Sequence, residues 1–362
     1  LGEPRPPPRH CGARAAAAAA DGRGPRGAPL GWRPSLDGGS SLAAWPATAA
    51  AALGGGAAVR RRRAARRAHR PFLRAHAGGP GFDGKQLEVA GHDLVVTTSK
   101  RPTAEMEGQA RDASKRIGAV YAERQRRSLR EVLEEARSGL AYCVRRVSRK
   151  DGRQEVRHEV CDRDGGRLYA NPRMWRVVAQ APTQPLLRAV CPRGEAQLSH
   201  IVDAMAGLGG TALRIAHGCG PGCQVIAAEV SAPLACLLAY GLQRLAAQGE
   251  EWSEPALRIE AVHAEASEFL RDCAASGRAV DVVYLNPCMD LARPSREDQL
   301  LHRLARLRPA TREVFEAAAA CARRRVVLRH PRGEELPFGL SEALLSARVR
   351  GGRSDFLVVD TR

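Results

Sequence analysis

From Leu198 onward, short apolar strands alternate with helix-type stretches, and this alternation limits the fold more than any other feature of the chain. Ile201-Val202-Asp203-Ala204, Gln224 to Glu229, Leu257 to His263, Val280 to Leu285 and Arg325 to Leu328 read as five successive strands. Their near-continuous apolar character implies a parallel sheet with helices covering both faces. Ala347-Arg348-Val349 and Phe356 to Val359 flank Arg350-Gly351-Gly352 and read as a closing hairpin. The expected architecture over residues 196–362 is α/β, a Rossmann-like doubly wound sheet ending in an antiparallel hairpin.

Residues 85–195 read as a small α+β domain of their own. Leu94 to Thr98 is a short β-branched strand. Helical patterns follow over Ala104 to Tyr121 and Ser128 to Ser138, the second opened by Ser128 and Glu131 at capping-box spacing. Ala141 to Val144 and Glu155 to Val160 flank Lys150-Asp151-Gly152-Arg153, a good hairpin turn, and Arg167-Leu168-Tyr169 offers a further strand.

Residues 1–84 are different. They are rich in Ala, Gly, Pro and Arg, lack hydrophobic periodicity and carry only Glu3, Asp21, Asp37 and Asp83 as acids. Such a segment buries no core, and its composition resembles that of an organelle transit region, with a plastid expected ahead of a mitochondrion and plain disorder or a cytoplasmic chain as the alternatives. The chain begins with Leu1 rather than Met, so its start is expected to lie upstream. The apolar run Leu42 to Val59 is mostly Ala and Gly and is not expected to span a membrane. The formal charge of the whole chain is +18. Much of that belongs to the leading segment, but the folded remainder is still basic, which suits RNA as a partner. The ten Cys are scattered in a manner that suits a reducing compartment. Cys219 and Cys223 form a tight turn rather than half of a metal site, and no metal is expected.

Four motifs fall at the carboxyl ends of the expected strands, where open α/β sheets bind ligands. The first is Asp203-Ala204-Met205-Ala206-Gly207-Leu208-Gly209-Gly210, whose glycines let backbone approach a ligand before a helix N-terminus. About 20 residues past that loop, Glu229 ends the next strand, placed to take both hydroxyls of a ribose. Glu265, after the third strand, can accept from an adenine amino group. Asn286-Pro287 ends the fourth strand, and its side-chain oxygen and backbone carbonyl can accept from a planar exocyclic amine. Methylation of such an amine by S-adenosylmethionine needs alignment and desolvation more than a strong base.

On these residues the chain resembles the ribosomal small-subunit RNA guanine-N2 methyltransferase family, RsmJ, in a broader branch with an N-terminal module. The resemblance spans Leu94 to Arg362. It is carried by Val95 to Ser99, Glu123-Arg124, Arg127-Ser128-Leu129, Asn171-Pro172-Arg173-Met174, Asp203 to Gly210, Leu237-Leu238, Gly241-Leu242, Asp281 to Pro287 and Arg324 to Arg329. It implies a class I S-adenosylmethionine-dependent methyltransferase fold and ribosomal RNA or the small subunit as partner. Cofactor contacts are implied at Asp203, Gly207, Gly209, Glu229 and Glu265, with Ala204 beside them in the loop, and methyl transfer at Asn286-Pro287. The chain departs from the family's Asp-Pro-Met-aromatic pattern, reading Asn286-Pro287-Cys288-Met289. The aromatic would stack on the target base for ~1–3 kcal/mol; Met289 can pack there with less orientation. Arg293, Ser295 and Arg296 echo a basic, Ser-containing segment that could hold substrate phosphates.

Three other readings compete. Cys288 after Pro287 could be the nucleophile of a cytosine carbon-5 methyltransferase. The Asn286 and Met289 departures could mark a non-catalytic RNA- or cofactor-binding assembly factor. The methyl acceptor could also be a protein or a small molecule.

Overall fold

The computed structural model describes residues 94–149, 152–170, 184–192, 198–249, 251–287, 294–305 and 309–361. The leading segment 1–84, Asn171 to Met174, Cys288, Met289 and Arg293 lie outside the described residues.

The first sheet has five strands: β1 (Val95–Thr98), β2 (Val120–Tyr121), β3 (Leu140–Ser148), β4 (Gln154–Asp162) and β5 (Arg167–Leu168), in the order β2-β1-β3-β4-β5. β1 runs parallel to β2 and β3, and β4 and β5 complete the sheet in antiparallel pairs. Helix α1 (Ala104–Ile117) buries Met106, Ala110, Ala113 and Ile117, a stripe at helical spacing. It ends four residues before the expected Tyr121 because Gly118 takes the left-handed cap at φ 71° and Val120–Tyr121 joins the sheet. Helix α2 (Leu129–Glu135) starts at the expected capping box, with Ser128 Oγ accepting from the Glu131 amide at 3.2 Å. It stops at Glu135, where Ala136 turns extended, short of the expected Ser138.

The second sheet has seven strands, ordered β11-β12-β10-β9-β6-β7-β8. They are β6 (His200–Asp203), β7 (Gln224–Glu229), β8 (Ile259–His263), β9 (Val280–Leu285), β10 (Ala322–Pro331), β11 (Ala347–Arg350) and β12 (Ser354–Asp360). β6 to β10 are parallel, whereas β12 pairs antiparallel with β10 and β11, the closing hairpin. Leu257 is not in β8 as expected; it ends a short helix, Ser253–Leu257, beside the buried Trp252. The parallel strands are joined through α4 (Gly210–Gly218), α5 (Ala232–Ala247), α7 (Ala266–Ala275) and α9 (Arg312–Cys321), where α3 is Pro185–Val190, α6 the Ser253–Leu257 helix and α8 Arg296–Ala305. Leu186, Ala189 and Val190 of α3 pack into the core of this second sheet with Ile201 and Val225.

α5 is buried nearly all round because it is shared. Leu238, Ala239, Leu242 and Leu245 belong to the core of the large sheet, while Leu234, Cys236 and Leu237 join Met106, Tyr142 and Val144 of the small one. A helix with two covered faces has no need of a polar stripe, which explains its run of Leu and Ala. Polar contacts follow the same seam. The Tyr240 hydroxyl donates to Asp112 at 2.8 Å, the Tyr240 ring stacks on His158 at 3.7 Å, and Arg244 pairs with Glu155 at 3.2 Å. Burial, with the charge of Arg244 adding, holds the His158 imidazole down at about 3, so it is neutral across the physiological range.

Strand order reverses between β6 and β9, and the carboxyl ends of β6 to β10 open there on one crevice. At the opposite end of the sheet, Asp281 Oδ2 accepts from the amides of Ser199 at 2.7 Å and His200 at 3.2 Å. Asp281, which opens the resembling run from Asp281 to Pro287, therefore pins the start of β6. Among the described residues no helix is long and apolar enough to cross a membrane.

Candidate active site

The crevice has a volume of about 770 Å³, within the range of small-molecule and cofactor sites. Each parallel strand contributes to its wall: Ala204 follows β6, Glu229 ends β7, Glu265 follows β8, Asn286 and Pro287 follow β9, and Arg329 stands in β10. The wall also includes Gly207 from the glycine-rich loop, and Thr211 and Arg214 from α4.

The loop shape depends on two glycines. Gly207 has φ 55° and Gly209 φ 78°, in the region that side chains disfavour. A Cβ on Gly209 would lie 2.3 Å from Leu238 Cδ1, so the loop rests directly on α5. The Gly207 amide donates to Glu229 Oε2 and the Ser231 amide to Oε1, both at 2.8 Å. Glu229 thus ties the loop to the end of β7 while facing the crevice.

Asp203 sits lower. It is fully buried beneath the loop, outside the crevice wall, and neither carboxylate oxygen is in hydrogen-bonding geometry with a partner among the described residues. Burial pushes its carboxyl up to about 7, with the charge of Glu229 adding, against the opposing amides of Met205 and Ala212. Gly209 is likewise behind the wall, capping α4.

Glu265 caps α7, its Oε2 accepting from the Glu268 amide at 3.0 Å and the Ser267 hydroxyl at 2.6 Å. Among the described residues Oε1 accepts no hydrogen bond, so that oxygen can serve a ligand. Neighbouring His263 is not part of the crevice wall; its Nε2 lies 3.1 Å from the carbonyl of Val230, which is, and burial lowers its pKa.

At the end of β9, Asn286 Oδ1 accepts from Arg329 Nη1 at 3.3 Å, and Arg329 Nε donates to Ser354 Oγ of β12 at 2.9 Å. The closing hairpin therefore anchors the residue that orients the Asn286 amide. Tyr284, two residues earlier, is buried, and burial together with the charge of Asp203 pushes its phenol well up.

Ser295 and Arg296 do not join this wall. Ser295 caps α8 reciprocally with Asp298: its amide and hydroxyl donate to Oδ2 at 2.9 and 2.7 Å, and its Oγ accepts from the Asp298 amide at 3.1 Å. Arg296 Nη1 donates to the Asp164 carbonyl at 2.6 Å, fastening α8 to the small sheet. Asp298, Leu301 and His302 of α8 line the crevice instead. Two wall residues, Arg214 and Arg329, were not among the expected contacts. Their signals are positional: Arg214 lies one helical turn past Gly210, and Arg329 ends the apolar run of β10.

The family profile for SAM-dependent methyltransferases matches residues 170–349. A ribosomal RNA small subunit methyltransferase J from Magnetococcus marinus is 32% identical over 182 residues, which cover 49% of this chain and 68% of that protein. The chain belongs to the RsmJ-like SAM-dependent methyltransferase family. A ribosomal RNA small subunit methyltransferase J from Chromobacterium violaceum is 33% identical over 154 residues, 41% of this RsmJ-like chain. The match spans 58% of that relative's length. The crystal structure of a SAM-dependent methyltransferase from Neisseria gonorrhoeae superposes with a TM-score of 0.50, covering 74% of this chain and 96% of that one at 19% identity, a likeness of fold.

The RsmJ-like family's cofactor is S-adenosylmethionine, and the crevice fits it. Glu229 would take the ribose hydroxyls, Glu265 the adenine amino group, and the loop from Ala204 to Gly207 would lie along the part of the cofactor where the ribose joins the sulfur. Ala206, Val230 and Ala266 give the wall apolar patches for the ring.

Proposed function

We propose that this chain transfers a methyl group from S-adenosylmethionine to the exocyclic amine of a guanine in small-subunit ribosomal RNA. The observation that carries this reading is the convergence of Asn286-Pro287 with Glu229 and the glycine-rich loop on a single crevice. The names of the RsmJ relatives support ribosomal RNA as the substrate class, and the basic balance of the chain suits that partner.

S-adenosylmethionine supplies an electrophilic sulfonium methyl when bound. The protein's part is alignment. Asn286 Oδ1 and a backbone carbonyl of the Asn286-Pro287 turn accept the two amine hydrogens, aiming the nitrogen lone pair across the crevice. Arg329 holds the Asn286 amide with its oxygen as the acceptor, so the group needs no reorientation as substrate arrives. Asn286 is neutral and takes no proton; the proton leaves to solvent after transfer. Crevice closure by the incoming base removes water from the reacting groups.

The test is incubation of the chain with radiolabelled S-adenosylmethionine and small ribosomal subunits, beside naked RNA and an Asn286→Ala control. Label in RNA that digests to N2-methylguanosine and disappears in the control is the expected outcome. Label in protein, or cofactor binding without any transfer, would sink the reading.

A further inference from the structure

Two guanidinium groups share the β6–β9–β10 side of the crevice. Arg214 projects from α4 into the wall, its Nε donating to the Gly210 carbonyl at 3.2 Å. Arg329 enters from β10, tied to Asn286 and Ser354. Among the described residues, neither forms an ion pair with a carboxylate. Buried Asp203, at the end of β6, makes no hydrogen bond to Arg214 and holds its proton up to about 7. Burial pulls the Arg214 guanidinium below its ordinary value, with the charge on Arg329 adding to the fall and Tyr284 and Asp203 opposing it. Like charges in a half-buried wall repel, and the arrangement is completed by an anion between them.

Strand order says which anion. Glu229 and Glu265 stand at β7 and β8, so a nucleoside held there directs its 5′ substituent toward the β6 loop and the first turns of α4. Arg214 of α4, and Arg329 beside Asn286, both line that side of the crevice. A cationic sulfonium placed beside two guanidinium groups that make no ion pair among the described residues would be repelled, whereas an amino-acid carboxylate on the same ligand would offset both. We infer that Arg214 and Arg329 form a carboxylate-binding pair for the amino-acid tail of the cofactor, an inference that rests on the cofactor reading above.

The test compares two ligands that differ in that tail. S-adenosylhomocysteine carries the carboxylate; 5′-methylthioadenosine keeps the nucleoside and sulfur but lacks it. Calorimetric titration of the full chain is expected to show Arg214→Gln, and separately Arg329→Gln, losing about tenfold or more in affinity for S-adenosylhomocysteine, as for a lost charge-assisted hydrogen bond. Binding of 5′-methylthioadenosine should change less than about threefold, which also reports that the crevice is intact. Equal losses for both ligands would overturn the inference by giving the arginines a purely structural role. Unchanged binding of both, with weaker binding of a ribosomal RNA fragment, would assign the pair to a phosphate instead. If the unaltered chain binds neither nucleoside, the cofactor reading itself fails, an outcome distinct from the other two.

Discussion

The carboxylate of Glu229 accepts the amide of Gly207 at 2.8 Å, joining the end of β7 to the glycine-rich loop after β6. One side chain therefore shapes the loop and presents an acid to the crevice. Glu229→Ala removes both functions and leaves the amides of Gly207 and Ser231 without their acceptor. Loss of stability by ~1–3 kcal/mol per buried unpaired donor is expected in denaturant titration, together with loss of S-adenosylhomocysteine binding in calorimetry. Stability and binding both unchanged would contradict the role.

The two loop glycines should differ in cost. Gly209→Ala combines positive φ with a Cβ 2.3 Å from Leu238 Cδ1, so ~2–4 kcal/mol of destabilisation is expected from strain and overpacking. Gly207→Ala meets nothing within 4 Å of its Cβ and should lose only ~1–2 kcal/mol. Urea unfolding of the two variants decides; the reverse ranking would show that the loop does not rest on α5.

Asp203 makes stability depend on pH in a definite direction. Its carboxyl is held up to about 7 by burial, against 3.8 ordinarily. Between those values the unfolded chain has lost the proton while the folded chain keeps it, so stability from this group is present below 3.8 and falls as pH rises to about 7. Asp203→Asn should accordingly raise the melting temperature of the ligand-free chain more at pH 8 than at pH 4. An equal change at both would mean that Asp203 is ionised in the fold.

Because α5 serves both sheets, they should unfold together. Leu237→Ala, on the face toward the small sheet, is expected to cost ~2–5 kcal/mol. Hydrogen exchange should show protection of β3–β4 and of β6–β9 falling by the same free energy. Loss confined to β3–β4 would show two independently folding bodies.

Much of this was legible in the sequence, because apolar runs and caps act locally. The parallel strands, the Ser128–Glu131 box and the closing hairpin follow from side-chain period and turn chemistry. What failed were ends: α1 stops at Ile117 because Gly118 takes a left-handed conformation, and Leu257 is drawn into a helix next to buried Trp252. Glu229, Glu265 and Asn286 line the crevice at the strand ends where their residue types drew attention in the sequence. It was not where depth decides. Asp203 ends a strand like Glu229 but is buried beneath the loop. Ser295 and Arg296 look free in sequence, yet one caps α8 and the other reaches the Asp164 carbonyl. Arg214 and Arg329 have positional signals in sequence, but only the strand order shows that α4 and β10 bring them to the same wall.

The most direct test of the central proposal is methyl transfer itself, measured as radiolabel from S-adenosylmethionine incorporated into small-subunit RNA by the unaltered chain and by Asn286→Ala. The expected result is label recovered as N2-methylguanosine with the unaltered chain, and a fall of at least about a hundredfold with Asn286→Ala, the scale of losing an oriented hydrogen-bonding group in a transition state. Cofactor binding with no label in RNA, or full activity in Asn286→Ala, would contradict it.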